Sequence, residues 1–308
     1  MAANLERVGF IGLGVMGMPM ARHLAGAGFP LSVYDIRKDS VAPLMEYRNV
    51  SIADSPKEMA ALSDIVVTML PSSHEVHEVI FGAGGLIEGF APGKLLLDTS
   101  SSDPSQTRKI AARLAGAGIA MVDAPVSGAE AGAIAAELVF MVGGKSEAVR
   151  RVRPLLEVLG KKFFHLGEVG TGHAMKCINN LITSITFMAT AEGLILGTAY
   201  GLDPAIMNAV LNESTGMSWI SRTHIAQRIL SRRFDDPFKL DLMMKDIDIA
   251  LQLTGAMDLE LRLSTTAQTL WRNIQAKIPR GSSVSELVRA LERSTGIEIV
   301  ASPTQSHE

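Results

Sequence analysis

The apolar run Val8-Gly-Phe-Ile11 passes directly into Gly12-Leu13-Gly14-Val15-Met16-Gly17 and then into a helix-like stretch at 18–27. Few folds accept such a junction. Gly12 permits a tight strand-to-helix turn, Gly14 lets the backbone approach an anionic ligand, and Gly17 allows the helix to pack close to the sheet. The new helix aims its free N–H groups at the loop, which suits a pyrophosphate. A second strand candidate, Leu31–Tyr34, leads into Asp35, eighteen residues past Gly17. A carboxylate there accepts hydrogen bonds from both hydroxyls of an adenosine ribose and repels a 2′-phosphate. Spacing and sign therefore favour NAD over NADP. Arg37, two residues on, offers a cation and keeps NADP open. The plain alternative is a strand–turn–helix whose glycines serve packing only.

Length bounds the rest. A chain of 308 residues has room for roughly two domains of about 150 residues, each able to bury a core without staples. Further strand candidates are residues 65–70, Leu95–Asp98, Ala120–Asp123, 138–142 and 163–165. Helix candidates between them include Pro56–Leu62, 105–117 and Ser146–Leu159. Several of the strands are apolar without alternation, as strands covered on both faces are. The repetition predicts a parallel sheet with right-handed crossovers. From Gly172 onward the chain reads as helices, broken at Gly201-Leu-Asp-Pro204, Ser214-Thr-Gly216, Asp235-Asp-Pro237 and Pro279-Arg-Gly281. The expected organisation is an α/β dinucleotide-binding domain at 1–168, an all-helical domain at 169–298 and a flexible tail at 299–308. A helix from about Gly172 to Tyr200, on the order of 40 Å long, would join the two lobes.

Composition removes several function classes. The 29 basic and 32 acidic residues give no basic field for nucleic acid. The single cysteine, Cys177, excludes a disulfide-stapled secreted scaffold. No basic segment precedes an apolar one at the start, so no signal peptide is expected and the expected location is cytoplasmic. Residues 181–202 are apolar nearly all round, but Glu192 among them is costly in lipid. A buried core helix has the same pattern, so no membrane is expected as a partner.

Two stretches carry candidate chemistry. In Asp123-Ala-Pro-Val-Ser-Gly-Ala-Glu-Ala-Gly132, the turn at Ser127, Gly128 and Ala129 offers a hydroxyl and backbone N–H groups, a nest suited to a carboxylate. In Gly170-Thr-Gly-His-Ala-Met-Lys-Cys-Ile-Asn-Asn180, helical spacing puts Lys176 and Asn180 on one face, with His173 sharing it. A lysine and an asparagine on an apolar helix are costly to bury without partners or substrate. The plain alternative for Lys176 is a surface lysine near a helix start. Leu70-Pro71-Ser72 and Asp98-Thr-Ser-Ser-Ser-Asp-Pro104 follow strand candidates, at the end where open α/β sheets place ligands. Their hydroxyls and N–H groups suit ribose and nicotinamide, while Ser102 or Asp103 also fits a helix cap ahead of Pro104.

GFIGLGVMGMPMARHL, DAPVSGAEAGA, GTGHAMKCINN and FKLDLMMKD, in that order over roughly residues 7–295, resemble the β-hydroxyacid dehydrogenase family. That family includes 3-hydroxyisobutyrate dehydrogenases and tartronate semialdehyde reductases. The resemblance implies a Rossmann-type N-terminal domain and an all-α C-terminal domain joined by a long interdomain helix. It implies Lys176 as the catalytic lysine, with Asn180 and the Ser127-Gly128 pair holding the substrate carboxylate and hydroxyl. It places Ser101 at the nicotinamide, Leu70 and Pro71 at the adenosine-side turn, and Lys245, followed by Asp246, as a lysine that closes on the cofactor. A homodimer or homotetramer is likewise implied. Ala129 stands where the family commonly has a second glycine, which adds a methyl at the substrate loop. Asn179 departs from the 6-phosphogluconate dehydrogenase branch, which carries histidine there. Imine reductases usually lack the lysine.

The implied reaction is hydride transfer between the β-carbon of a short 3-hydroxy acid and the nicotinamide, with Lys176 as general acid–base. A 3-hydroxyisobutyrate-like substrate leads, and tartronate semialdehyde, threonate and a serine- or threonine-like amino acid fit the same chemistry. A non-catalytic NAD sensor is the reading from another class, and Lys176 with Asn180 counts against it. No metal is expected: His74-Glu-Val-His77-Glu78 lacks the H-E-x-x-H spacing. Cys177 reads as a small buried hydrophobe. Arg222, Arg228, Arg232 and Arg233 read as a solvated face, and Trp219 and Phe238 as core or pocket wall.

Overall fold

A computed structural model describes residues 5–302. The chain divides into two compact units, and the division falls after Lys176, past the expected junction at 168/169.

The first unit is a doubly wound α/β domain. Its strands are β1 (Val8–Ile11), β2 (Leu31–Tyr34), β3 (Val50–Ile52), β4 (Ile65–Thr68), β5 (Leu95–Asp98), β6 (Ala120–Asp123), β7 (Val126–Ser127), β8 (Leu138–Gly143) and β9 (Gly160–Gly167). The first six run parallel in the order β3-β2-β1-β4-β5-β6. The order reverses between β1 and β4, the switch point at which such sheets bind ligands. Helices α1 (Gly17–Gly26), α2 (Pro56–Leu62), α3 (Ser73–Phe81), α4 (Pro104–Gly116), α5 (Ala129–Ile134) and α6 (Ser146–Leu159) lie between the strands.

Alternate residues of the central strands serve opposite faces. Val8, Phe10, Ile65, Val67, Leu95 and Leu97 join one buried cluster, while Ile11, Val66 and Leu96 join another. With both faces covered, the strands are apolar throughout, which is why periodicity alone left them as unbroken runs. Burying each such leucine contributes about 1.5–3 kcal/mol.

The sheet is not parallel throughout. β8 runs antiparallel to β6 and β7. The chain from β7 to β8 spans only residues 128–137, less than the dozen or so residues a parallel crossover needs. β3 is a three-residue strand, too short to carry a periodic signal. β9 extends beyond the expected 163–165 and is largely exposed at the sheet edge, where Lys161 and Lys162 discourage pairing with another strand.

The second unit begins within α7 (Thr171–Tyr200) and continues as α8 (Pro204–Asn212), a π-helix (Ile220–Leu230), α9 (Leu240–Ala256), α10 (Arg262–Gln275) and α11 (Glu286–Thr295). α7 is long and apolar enough to cross a membrane by length and composition. Its Cys177, Phe187, Ala191 and Leu194 belong to the core of the second unit together with Trp271, Ile225 and Ile247. Thr183, Thr186, Thr190 and Thr198 return their hydroxyls to carbonyls three or four residues earlier, so they satisfy themselves within the helix.

Two expectations need correction here. Arg232 is not on a solvated face: it forms a bidentate pair with buried Glu292, whose carboxylate also accepts the Ile299 N–H. Arg228 and Arg233 both pair with Asp235. Residues 299–302 are anchored, with Ile299 fully buried and Ser302 N–H on Asp203; the rest of the expected tail lies outside the described residues.

At the foot of the sheet, Asp64 accepts from the Arg7 guanidinium at 2.7 and 3.0 Å and from Lys94 at 3.0 Å. The Arg7 hydrogen bonds hold its carboxyl far below the usual carboxylate range. A depressed folded-state pKa stabilises the fold above the unfolded value of about 3.9, and the effect fades as pH falls through the folded value. Asp64→Asn is therefore expected to lower Tm at pH 7, with the difference from wild type shrinking below about pH 4. A series of Tm measurements against pH checks this; a constant difference would mean that the pair adds nothing through ionisation.

Candidate functional site

The glycine loop after β1 is built for an anion. Gly12 has φ +97°, and a Cβ there would strike the Met69 carbonyl; one on Gly17 would strike the Gly12 carbonyl. Gly14 differs: a Cβ there would meet no protein atom within 4 Å. Its missing side chain leaves open space above the backbone, as a pyrophosphate requires. No side chain caps α1, whereas Ser55, Ser72 and Asp103 cap α2, α3 and α4. Val15 is exposed and Met16 partly so at the loop tip.

Asp35, just past β2, is buried and fixed. Its Oδ2 accepts the Leu13 N–H at 2.7 Å, and its Oδ1 accepts the Arg37 N–H at 2.8 Å. Each oxygen keeps a second lone pair, which suits the two ribose hydroxyls of a dinucleotide. The Arg37 side chain is exposed with its Nε 3.6 Å from Asp35. The residues of this half of the sheet thus fit NAD.

The loop after β5 is organised from below by Asp98, which is fully buried. Its carboxylate accepts from Thr68 Oγ1, the Ser100 N–H and Ser102 Oγ at 3.0–3.2 Å. Thr99 donates to the Thr68 carbonyl, and Ser100 Oγ accepts the Leu70 N–H. The expectation that several of these hydroxyls face a cofactor is therefore corrected: Thr99, Ser100 and Ser102 are buried and hold the loop itself. Ser101 is the half-buried member, and Pro71 is exposed on the neighbouring loop. Asp103, not Ser102, caps α4.

Asp123 ends β6 fully buried. Its Oδ1 accepts the Gly170 N–H at 2.6 Å and its Oδ2 the His173 N–H at 2.8 Å, so one carboxylate caps the start of α7. Burial pushes the Asp123 carboxyl above the usual range, and His173 and these two donors oppose the rise. His173 precedes Lys176 and Asn180 at helical spacing on α7. It is wholly buried, with Nε2 3.0 Å from the Ser100 carbonyl and Nδ1 2.8 Å from Thr107 Oγ1. Asp98 and Asp123 each lie 3.7 Å from the ring. Gly172 makes the seat tight, since a Cβ there would strike the Met141 carbonyl. Lys176, one turn further along α7, is half-buried.

Ser127 closes β7, and Gly128 and Ala129 turn into α5 with φ of 133° and 52°. The methyl of Ala129 is thus carried on left-handed backbone. Gly128 and Ala129 are exposed and Ser127 is half-buried. At the far end of α5, His23 of α1 lies 3.1 and 2.9 Å from the Ala133 and Ile134 carbonyls. The helix that opens at the phosphate loop therefore also grips the turn proposed to hold substrate.

In the second unit, Asn180 is buried and donates through Nδ2 to Asp246 Oδ2 at 2.6 Å. Lys245 lies 3.5 Å from Asp246 Oδ1, a buried oxygen with no hydrogen-bond partner among the described residues. Sequence reasoning missed the organising roles of Asp98, Asp123, His173 and Asp246. The signal available was an acidic residue closing each of two strands that are otherwise wholly apolar.

Residues 7–167 match the family described as the NAD binding domain of 6-phosphogluconate dehydrogenase. Residues 170–291 match that described as NAD-binding of NADP-dependent 3-hydroxyisobutyrate dehydrogenase. The chain is 33% identical over 293 residues to 2-(hydroxymethyl)glutarate dehydrogenase of Eubacterium barkeri, covering 95% of this chain and 97% of that one. It is 36% identical over 274 residues to the NAD-dependent L-serine dehydrogenase of Pseudomonas aeruginosa, covering 87% and 92%. Among solved structures, Mycobacterium tuberculosis 3-hydroxyisobutyrate dehydrogenase with L-serine superposes with a TM-score of 0.85 at 29% identity, covering 93% and 99%.

Gly128 has a backbone conformation closed to other residues. Gly128→Ala is expected to destabilise the first unit by about 1–3 kcal/mol, read by denaturant unfolding. An unchanged midpoint would show that the turn relaxes freely.

Proposed function

This chain belongs to the 3-hydroxyisobutyrate dehydrogenase family of NAD-dependent hydroxyacid oxidoreductases, and we propose that it acts on a short 3-hydroxy acid of the 3-hydroxyisobutyrate kind with Lys176 as acid–base group. What supports this reading is the common dependence of Ser127 and Lys176 on Asp123. That residue ends the strand leading to the Ser127 turn, and its carboxylate caps the helix that carries Lys176. A hydroxyl-and-amide turn thus follows the strand that Asp123 ends, and the amine rides on the helix that its carboxylate caps.

Bound NAD supplies the hydride acceptor at its nicotinamide. Asp35 holds the adenosine ribose and the N–H groups of the glycine loop hold the pyrophosphate. Ser127 and the Gly128 N–H take the substrate carboxylate. Lys176 Nζ, in its neutral form, takes the hydroxyl proton during oxidation and returns it during reduction. Asn180, its amide fixed by Asp246, orients the substrate. Ser101, Leu70 and Pro71 line the cofactor side. Ala129 narrows the substrate loop by one methyl, so the shortest acids bind best. A serine-like amino acid is the second reading, favoured by the likeness to an L-serine dehydrogenase. A homodimer or homotetramer goes with this assignment. Ile182, Leu196, Tyr200 and Ile206 stand exposed on α7 and α8, apolar surface of the kind that subunit contacts cover.

Lys176→Ala is expected to cut kcat by about 10²–10⁴ while NADH still binds, as read by fluorescence titration. Near wild-type turnover would remove Lys176 from the mechanism. The enzyme assayed with 3-hydroxyisobutyrate, L-serine and 2-(hydroxymethyl)glutarate, each with NAD and NADP, should show its highest kcat/KM with 3-hydroxyisobutyrate and NAD. Preference for NADP would mean that Arg37 outweighs Asp35. Tight NAD binding without turnover on any of the acids would favour the sensor.

A further inference from the structure

We propose that His173 is a positioning residue: its buried ring fixes the start of α7, and with it Lys176, against the loop that carries Ser101. The inference rests on the assignment of Lys176 as the acid–base group.

Three segments meet at this ring. The loop after β5 contributes the Ser100 carbonyl and Asp98, α4 contributes Thr107, and β6 contributes Asp123. A carbonyl oxygen only accepts, so Nε2 carries a hydrogen and donates to Ser100. That bond joins the residue beside Ser101 to the residue one turn before Lys176. The Thr107 hydroxyl holds the opposite edge of the ring and also reaches the Asp103 carbonyl at 3.0 Å, where α4 is capped. The ring therefore cannot rotate without breaking a buried bond on each side. Leaving either group unpaired in this dry site is costly.

The backbone repeats the constraint. The His173 N–H is bound to Asp123, and Gly172 leaves no gap between α7 and the strand ends. Asp123 alone fixes where α7 begins. Through the β5–β6 pairing, where Asp98 lies opposite Asp123, it is related to the loop after β5 only by way of the sheet, and among the described residues its side chain makes no direct hydrogen bond to that loop. His173 supplies that connection: its backbone faces Asp123 and its ring faces Ser100. Hydride and proton transfer demand that groups from both segments keep their spacing, and a displacement of about 1 Å far from the chemistry can cost on the order of 10²-fold.

The test compares His173→Ala, His173→Gln and Thr107→Val in the full chain. A glutamine amide can donate to Ser100, as Nε2 does, and present its other polar atom to the Thr107 hydroxyl. His173→Ala is expected to lower kcat by about 10²-fold with the NADH dissociation constant little changed, and to lower Tm because the buried Ser100 and Thr107 groups lose a partner. The primary deuterium isotope effect, read with substrate deuterated at the hydroxyl-bearing carbon, should rise because chemistry becomes limiting. His173→Gln should restore most of the turnover. Thr107→Val, which removes the hydroxyl's bonds to the ring and to the Asp103 carbonyl at nearly constant volume, should lower kcat in the same direction; it decides the matter if His173→Ala does not fold. Unchanged kcat in the folded His173→Ala or in Thr107→Val overturns the proposal. So does a loss of activity that follows only the loss of NADH sites. Lys176→Ala run in parallel separates the two claims. If it stays active, the lysine assignment fails and the positioning role falls with it. If it is inactive while folded His173→Ala is fully active, only the positioning role fails.

Discussion

A carboxylate buried at the end of a strand governs this molecule's chemistry. Asp123 has no exposed surface, and an ion there is tolerable only if its lone pairs are used. They are used on the first turn of α7, where two N–H groups otherwise lack partners. The pairing solves two problems together. The helix start gains an anion against its positive end, and the anion gains donors that replace water. Burial still pushes the carboxyl up, so the balance is close. The seat of α7 is consequently specific in position, since a shift of either partner leaves polar groups unpaired in a dry site.

The same economy recurs along the sheet. Asp35, Asp98 and Asp123 each stand at the C-terminal end of a parallel strand; Asp35 and Asp123 spend their oxygens on backbone N–H groups, and Asp98 on one N–H and two hydroxyls. Parallel strands leave these ends without a hairpin partner, so the loops above them need side chains to order them. Acidic residues suit the task because both oxygens only accept, and the loops present donors. Three loops that would otherwise be flexible become fixed in register with the sheet. Ligand-binding geometry follows from the strand spacing and does not depend on loop entropy.

Much of this was legible in the sequence, and the reason is local. The glycine loop, Asp35 and the alternation of strand and helix are encoded over stretches of about thirty residues, within reach of spacing arguments. α7 was legible because residues 181–202 are apolar nearly all round and no proline interrupts residues 171–200. The reversal of β8 was not, because strand direction depends on the length of a connection whose ends were not located. The burial of His173 was not legible for a related reason. Helical periodicity says which residues share a face, but not where along the helix packing changes. At its first turn α7 packs on strand ends, and one turn later it emerges. Arg232 was misread because its partner, Glu292, lies sixty residues away, beyond any periodic signal.

The second unit shows how little polarity a helical core needs once one pair is satisfied. Asn180 and Asp246 are both buried, from different helices, and joined by one short hydrogen bond. A neutral amide beside a carboxylate costs less to bury than two charges do, and it fixes the amide's orientation, because only the NH₂ end can face an acceptor. The Asn180 oxygen is thereby turned away from Asp246 and toward Asn179, whose amide donates to it at 3.2 Å. Its second lone pair stays available as an acceptor. An acceptor of fixed direction is what a substrate hydroxyl or an ammonium group needs, whereas a freely rotating amide would discriminate between neither. Asp246 therefore sets the direction in which Asn180 presents its oxygen.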